Sequence, residues 1–398
     1  MRELGATRAG RLLIGTALAI AVATAVGLAL LWPGEVDPKL GQVFSADSER
    51  AEVTGIEEFP CSSIVTDVCA NVTIRLESGP DEGTTTTIRN LGADGGPIPP
   101  GLDVGDAVRA TPFVQTPDSA DQPPQYSLTD FERRAPMLWL AVAFAALVVV
   151  FGRLRGALSL VGLALSLAVV LVFIVPAILD GSDPLSVAIV GALAVMILTI
   201  ILAHGLNPKS LAALLGTTAS LALVALLAQL FTDVTSLTGL SSEESGTLVF
   251  NEIVSQDSLR GLLLAGIVIG ALGVLDDVTV SQASTVIALR RANPALGFGR
   301  LYREAIEVGR DHVSATVNTL VLAYVGASLP VLLLLTSSDI GLTEGINFEI
   351  VAKEVVAMLV GSIGLIAAVP LTTALTALLA VRVEPEDLSA ASAVPHAH

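Results

Sequence analysis

Two adjacent aspartates, Asp276 and Asp277, close an apolar run long enough to enter a lipid bilayer, and they are the clearest chemical signal in the sequence. The stretch reads Gly266-Ile267-Val268-Ile269-Gly270-Ala271-Leu272-Gly273-Val274-Leu275-Asp276-Asp277. Asp276 follows Arg260 by 16 residues, roughly 24 Å of helix at the standard rise. That depth is the inner part of a bilayer or its cytoplasmic interface. A carboxylate there is costly unless it faces protein or a wet cavity, so it defaults to a functional reading. Proton or cation transfer is the chemistry such a pair would supply. The plainer alternative ends the helix at Leu275 and makes both acids interfacial caps of the segment that follows. Both readings stay open.

A second polar stripe begins at Arg310-Asp311-His312 and continues through Ser314, Thr316, Asn318 and Thr319 to Tyr324. Asn318 is expected in hydrocarbon and must find a partner there. Interhelical hydrogen bonding is the commoner role for such a residue. The sharper reading sets Asp311, Asn318 and Thr319 beside Asp276 and Asp277 on one proton or cation path. Pro176, Pro330 and Pro370 would kink or end their spans and free backbone carbonyls. Gly266 and Gly270 form a small-xxx-small pair and Gly273 extends it, so another helix is expected to pack closely there. No Walker loop, H-E-x-x-H, nucleophile elbow or C-x-x-C is present. An intramembrane enzyme would lack a nucleophile or metal cluster, so the chain is read as no enzyme, with no cofactor and no metal.

The elements that must position these residues follow from composition. Hydrophobic residues make up 53% of the chain and charged ones 15%, and apolar runs recur. About 20 such residues span the hydrocarbon layer as a helix. The first run, residues 12–32, follows Arg2, Arg8 and Arg11 and exceeds a signal peptide's apolar core, so it reads as an uncleaved signal anchor. Seven further spans are expected near 137–152, 156–179, 185–203, 210–230, 259–280, 312–337 and 354–380. Arginines, His204 and Lys209 fall on one side of this arrangement and acidic loops on the other. The positive-inside rule then puts both termini in the cytoplasm, with Arg133 and Arg134 as exceptions. The piece Leu301 to Arg310 could lie along the inner membrane surface or stand as a solvated helix. Three lysines in a chain rich in Ala, Gly, Val and Arg point to a GC-rich bacterial genome, and hence to a bacterial plasma membrane.

Between the first two spans the texture changes. Residues 33–135 alternate in short segments broken by turn signals, as in Val72 to Leu76, Ser78 to Gly83 and Thr84 to Arg89, which read as a hairpin. Leu102 to Arg109 reads as a tight turn into another strand. Five or six strands fit a small barrel of the OB or SH3 type. Pro-rich Thr116 to Gln125 is a loop. Much of the net charge of −17 lies here, which excludes nucleic acid as a partner and suits a soluble exported domain that could meet a protein or ligand. Cys61 and Cys69 both fall in it, and a disulfide between them is plausible. The domain order is therefore a cytoplasmic N-terminus (1–11), the anchor (12–32), the β-rich domain (33–135), a seven-helix membrane domain (136–381) and a cytoplasmic tail (382–398).

With these residues in view the chain resembles the YibE/F-like membrane proteins along nearly its whole length. The resemblance rests on the anchor, the exported domain ending Tyr126-Ser127-Leu128-Thr129-Asp130-Phe131-Glu132-Arg133, Gly266 to Asp277, and Gly309-Arg310-Asp311-His312 through Asn318-Thr319-Leu320 to Tyr324. It implies a multipass membrane protein of unestablished activity. A weaker likeness, to SecD/SecF export proteins, lies in the order of anchor, exported domain, acid-ended helix and Asn-Thr helix. Eight spans instead of six separate the two, and fold analogy does not establish function.

Two functions are expected to compete. One is a secondary transporter or permease, open to proton coupling, with Asp276, Asp277 and Asn318 on the path. The other is a membrane-anchored assembly or sensing protein whose barrel binds a partner or ligand. Transport leads, because most spans join through short loops and the acids point inward. Neither oligomeric state nor substrate follows from the residues.

Overall fold

Long apolar runs must become helices in lipid, because only a helix satisfies every backbone polar group within one segment. The computed structural model describes residues 8–34, 48–61, 68–92, 98–112, 125–338 and 340–382. The C-terminal tail from residue 383 and most of the Thr116–Gln125 loop lie outside the described residues. The chain divides into two compact units, residues 38–148 and residues 1–37 with 149–398.

The smaller unit is a curled antiparallel half-barrel. Its strands are β1 (Glu49–Pro60), β2 (Val68–Leu76), β3 (Thr85–Leu91), β4 (Ala107–Pro112) and β5 (Tyr126–Phe131), in the order β3-β2-β1-β4-β5. The expected hairpin is present: Val72 pairs with Ile88 and Thr73 with Thr87 across the Ser78–Gly83 turn. Gly79 and Gly83 both turn with positive φ there. Alternation places Ala51, Val53, Val72, Ile74 and Val108 in one core and their neighbours outward. The Leu102 segment is the turn itself, closed by Asp103 N–H donating to Asp106 Oδ2 at 2.8 Å, and the strand begins only at Ala107. Cys61 and Cys69 form a disulfide at the loop end of the β1–β2 hairpin, with Cα atoms 5.6 Å apart. At the last strand Asp130 accepts from Arg133 at 2.7 Å, which holds its carboxyl below the usual range.

One polar cluster sits at the edge of this core. The Tyr126 hydroxyl lies 3.0 Å from Glu49 Oε2 and 2.8 Å from Asp81 Oδ2, and Glu49 and Tyr126 are both buried. Burial, then hydrogen bonding to Asp81 and Glu49, pushes the phenol well above its ordinary value. The folded unit therefore holds this proton where an unfolded chain has released it. Its contribution is complete below about pH 10, the ordinary tyrosine value, and is lost as pH rises toward the folded value. Tyr126→Phe is expected to remove about 1.5–3 kcal/mol, the scale of a hydrogen bond to a charged group. It should also remove the alkaline slope, as read by hydrogen exchange of β1 and β5 in the full-length protein. Unchanged exchange at both neutral and alkaline pH would contradict the assignment.

The larger unit holds α1 (Arg8–Leu30) and, after α2 (Arg134–Val169), the remaining helices. These are a π-helical turn (Val170–Ile174), α3 (Val175–Leu179), α4 (Pro184–His204), α5 (Pro208–Val234), α6 (Glu243–Phe250), α7 (Gln256–Ala292), α8 (Phe298–Ala327), α9 (Leu329–Ser337), α10 (Leu342–Gly345) and α11 (Glu349–Ala380). Among the described residues seven helical stretches are long and apolar enough to cross a membrane, two of them being Arg134–Leu154 and Gly156–Leu179 on either side of the break in α2. An eighth span results if α8 and α9, bent by 59° at their junction, count as one. The starts of α4 and α5 carry ordinary side-chain caps. Asp183 Oδ2 accepts from Ser186 N–H at 2.9 Å, and Asn207 Oδ1 accepts from Ser210 N–H at 3.0 Å. Arg153, with φ of 51° and ψ of −133°, breaks α2 where the first two spans of the membrane domain were expected to meet. The prolines act unequally: Pro176 follows the π-turn, Pro330 opens α9 after the bend, and Pro370 is carried inside α11.

Helices α5, α7 and α11 form the centre, with α4 and α8 against them and α1 against α4 and α5. The glycines that allow this are not the expected ones. A Cβ on Gly216 would collide with Thr372, and one on Gly364 with Val224, so α5 and α11 touch nearly backbone to backbone. Gly309 of α8 faces Val369 and Gln282 in the same way. Gly266 and Gly273 have nothing within 4 Å of a built Cβ, and Gly270 meets only the Tyr324 hydroxyl at 3.5 Å. The close-packing role expected of Gly266 and Gly273 is therefore corrected. Helix α7 turns Leu264, Val268 and Leu275 to the core and leaves the glycine stripe uncovered.

A buried polar layer crosses the centre. Thr217 and Thr279 share a hydrogen bond of 2.6 Å between α5 and α7. Gln282 Nε2 donates to the Ala305 carbonyl at 2.9 Å and to Thr373 Oγ1 at 2.7 Å, tying α7 to α8 and α11. The Leu301 to Arg310 piece is the first part of α8, and Leu301 and Ala305 are buried against Val286, Ala377 and Ala380. Arg290 holds the α7–α8 turn by donating to the carbonyls of Pro294 and, at 2.8 Å, Leu296.

Candidate functional site

Helix α7 runs unbroken past both aspartates to Ala292, so neither caps a helix end. Asp276 turns toward α4, where Thr199 Oγ1 donates to Oδ2 at 3.2 Å. Asp276 Oδ1 is buried without a hydrogen-bond partner among the described residues. Asp277, one residue on, is exposed on the neighbouring face. Both line a cavity of about 410 Å³, with walls that include Ser166, Leu167, Val170, Ile174, Ile200 and Leu272.

The π-turn explains part of that space. Pro176 has no N–H to give to the carbonyl one helical turn back, and its ring crowds that position. The preceding residues Val170–Ile174 open into π geometry, which widens the helix by one residue per turn. Val170 and Ile174 thus reach the cavity wall, while Gly191 of α4 makes room for Ile174.

The other expected residues lie elsewhere. Helix α8 packs through Leu301, Ala305, Gly309, Val313 and Val317. Asp311, Asn318 and Thr319 are exposed, and Asp311 and Asn318 fall on the opposite face from that packing surface. Thr319 Oγ1 donates to its own helix at Ala315 O, 3.0 Å away, and Asn318 has no hydrogen bond among the described residues. The single path joining Asn318 to the aspartates is therefore not assembled. The residue missed from sequence is Thr199, whose only signal was a lone hydroxyl in Ile197-Leu198-Thr199-Ile200-Ile201.

A second cavity, of about 690 Å³, lies beside Leu237 and Glu349. Its carboxylate is already occupied. Glu349 accepts from the N–H groups of Thr238 at 2.9 Å and Gly239 at 2.6 Å and from Thr238 Oγ1 at 2.8 Å, so it pins the α5–α6 loop. Among the described residues no cluster of three or more His, Cys, Asp or Glu side chains could hold a metal ion.

Neither a curated protein nor a solved structure matches the chain. The family of YibE/F-like proteins matches residues 140–382, which begin after the half-barrel and take in every helix around Asp276. The anchor and the half-barrel, on which the resemblance also drew, lie outside that match. Because it covers more than half of the sequence, this chain belongs to the YibE/F-like protein family.

Proposed function

We propose that the chain is a secondary transporter or permease in which Asp276 is the group that takes up a proton or cation. The observation that carries this reading is the pairing of a buried, unpartnered carboxylate oxygen with a cavity beside a π-turn. An unsatisfied buried acceptor costs roughly 1–3 kcal/mol unless something occupies it. Either a proton or a bound cation would satisfy it, and an exchangeable occupant is what coupling needs. Proline-broken and irregular helices at membrane depth are tolerated where they line such cavities. We place the protein in a bacterial plasma membrane with both termini in the cytoplasm, in keeping with Arg290 and Arg291 at one end of α7 and Asp257 near the other. We read the half-barrel as OB-type, since β1 pairs with both β2 and β4 while β3 comes near β5.

The test is an untargeted comparison of ions and metabolites in a deletion strain complemented by wild type or by Asp276→Asn. The expected result is that wild type restores the profile, whereas the variant inserts and accumulates but leaves the deletion profile. A profile fully restored by Asp276→Asn would sink the proposal.

A further inference from the structure

The cavity at Asp276 differs from a site for an inorganic ion in both size and lining, and its polar groups are of one kind. Its walls are mostly apolar, from Leu167, Val170 and Ile174 on one side to Ile200, Ile269 and Leu272 on the other. Its volume of about 410 Å³ is many times the ~30 Å³ share of one water. It falls in the range of sites for small organic molecules, roughly 300–1,000 Å³. A bare cation would leave most of the wall without contacts.

The hydrogen-bonding groups narrow the occupant further. The Ser166 hydroxyl donates to Gly162 O at 2.9 Å, and the Thr199 hydroxyl is divided between Met196 O at 3.1 Å and Asp276 Oδ2 at 3.2 Å. Their protons are committed. What remains is Asp276 Oδ1, buried and unpartnered, and the Asp277 carboxylate, both of which only accept. No basic side chain lines the cavity among the described residues. An anion or a plain carbonyl would find no donor there, whereas an N–H-bearing cation meets two carboxylates.

The way in follows from exposure. Gly273 and Asp277 line the cavity and are also exposed on the side of α7, next to the uncovered glycines Gly266 and Gly270. No other helix covers that side among the described residues, so an occupant with an apolar body can enter laterally, leading with its charged end.

We infer that this cavity binds an amphipathic organic amine in its protonated form, with the ammonium at Asp276 and Asp277 and the apolar body among Leu167, Val170 and Ile174. The inference rests on the transporter reading and names a substrate class for the same site. A quaternary ammonium has the charge but no N–H for Asp276 Oδ1, and a neutral hydrocarbon has neither.

The experiment is equilibrium binding to the full-length protein in lipid nanodiscs, corrected with empty discs, of three probes that share one apolar body. These are phenylbutylamine, phenylbutyltrimethylammonium and butylbenzene. Saturable binding of the amine is expected, weaker binding of the quaternary analogue, and none of butylbenzene. Asp276→Asn is expected to weaken the amine at least about tenfold, equivalent to 1.4 kcal/mol. Absence of saturable amine binding by wild type would overturn the inference, as would equal binding of butylbenzene. The comparison among probes needs only wild type, so a variant that fails to fold does not blunt it. If Asp276→Asn folds and binds the amine like wild type, the site is misassigned. Loss of cellular activity in Asp276→Asn without any amine binding would remove the amine and leave the transporter reading standing. Cellular activity intact in that variant would remove the transporter reading itself.

Discussion

Leucine at Gly216 or Gly364 is expected to prevent the central bundle from assembling, while leucine at Gly266 leaves it close to wild type. At Gly216 even a Cβ would meet the Thr372 side chain and come within 3.3 Å of its Cα, so relief requires moving backbone. At Gly364 the same atom would collide with Val224 and lie 3.9 Å from the Ser220 carbonyl oxygen. Overpacking a core commonly costs about 1–3 kcal/mol, and more when rotamers cannot absorb it. Against a total stability of about 5–15 kcal/mol, adding a whole leucine between two touching helices is a large fraction. Gly266 has open space around its Cα, so an added side chain meets no protein atom within 4 Å. The measurement is monodisperse yield and thermal unfolding of the full-length protein in detergent. Gly266→Leu should stay within about 0.5 kcal/mol, the usual scale of a change that touches nothing. Equal damage at all three positions would mean that the glycine stripe of α7 is covered after all.

The second large effect is expected at the cavity, and it is graded by position. Asp276→Asn keeps the shape and an oxygen for Thr199 but abolishes the charge. A buried charge that loses its partner typically costs about 2–5 kcal/mol, so occupancy should fall tenfold or more. Asp277→Asn is expected to have a smaller effect, because that side chain is exposed beside the cavity and carries no hydrogen bond among the described residues. Asn318→Ala and Asp311→Asn should complement the deletion strain like wild type, since both lie on the outer face of α8. Measured side by side in the ion and metabolite profile, the order should be Asp276, then Asp277, then the α8 residues. A null phenotype for Asn318→Ala matching that of Asp276→Asn would restore the single path that the packing of α8 separates.

The two unequal aspartates illustrate what a lone sequence hides. Residues i and i+1 on a helix point about 100° apart, so an acidic pair does not turn both carboxylates to the same neighbouring helix. Which of them turns to α4 depends on how α7 is rotated. That rotation is set by Leu264, Val268 and Leu275 against the centre, together with the Thr217–Thr279 hydrogen bond. The same rotation explains the glycines. Gly266, Gly270 and Gly273 form a packing motif on paper, but the thin surfaces in use belong to Gly216 and Gly364. Those two also stand at small-residue spacing, in Ala212, Gly216, Ser220 and in Gly364, Ala368, Thr372, so the pattern alone does not choose among the stripes.

What the amino-acid sequence determined alone is the set of elements. Apolar runs of this length become helices in hydrocarbon, so composition was enough to announce the helices, and alternation with turn residues was enough to announce a small sheet. The bounds were less legible: α7 runs on to Ala292 and α8 begins at Phe298, well outside the expected 259–280 and 312–337. The short spacing of Cys61 and Cys69 was enough to suggest their bond, because a loop of that length keeps its ends near. Tertiary structure alone decided the rest: that α8 continues unbroken through its amphipathic start, and that Thr199 rather than Asn318 faces Asp276. It also decided that Pro176 is preceded by a π-turn opening onto a cavity. The physical reason is the same in each case. Local periodicity says which residues share a helix face, but only packing against other helices chooses which face is buried, which is left to lipid, and which closes around empty space.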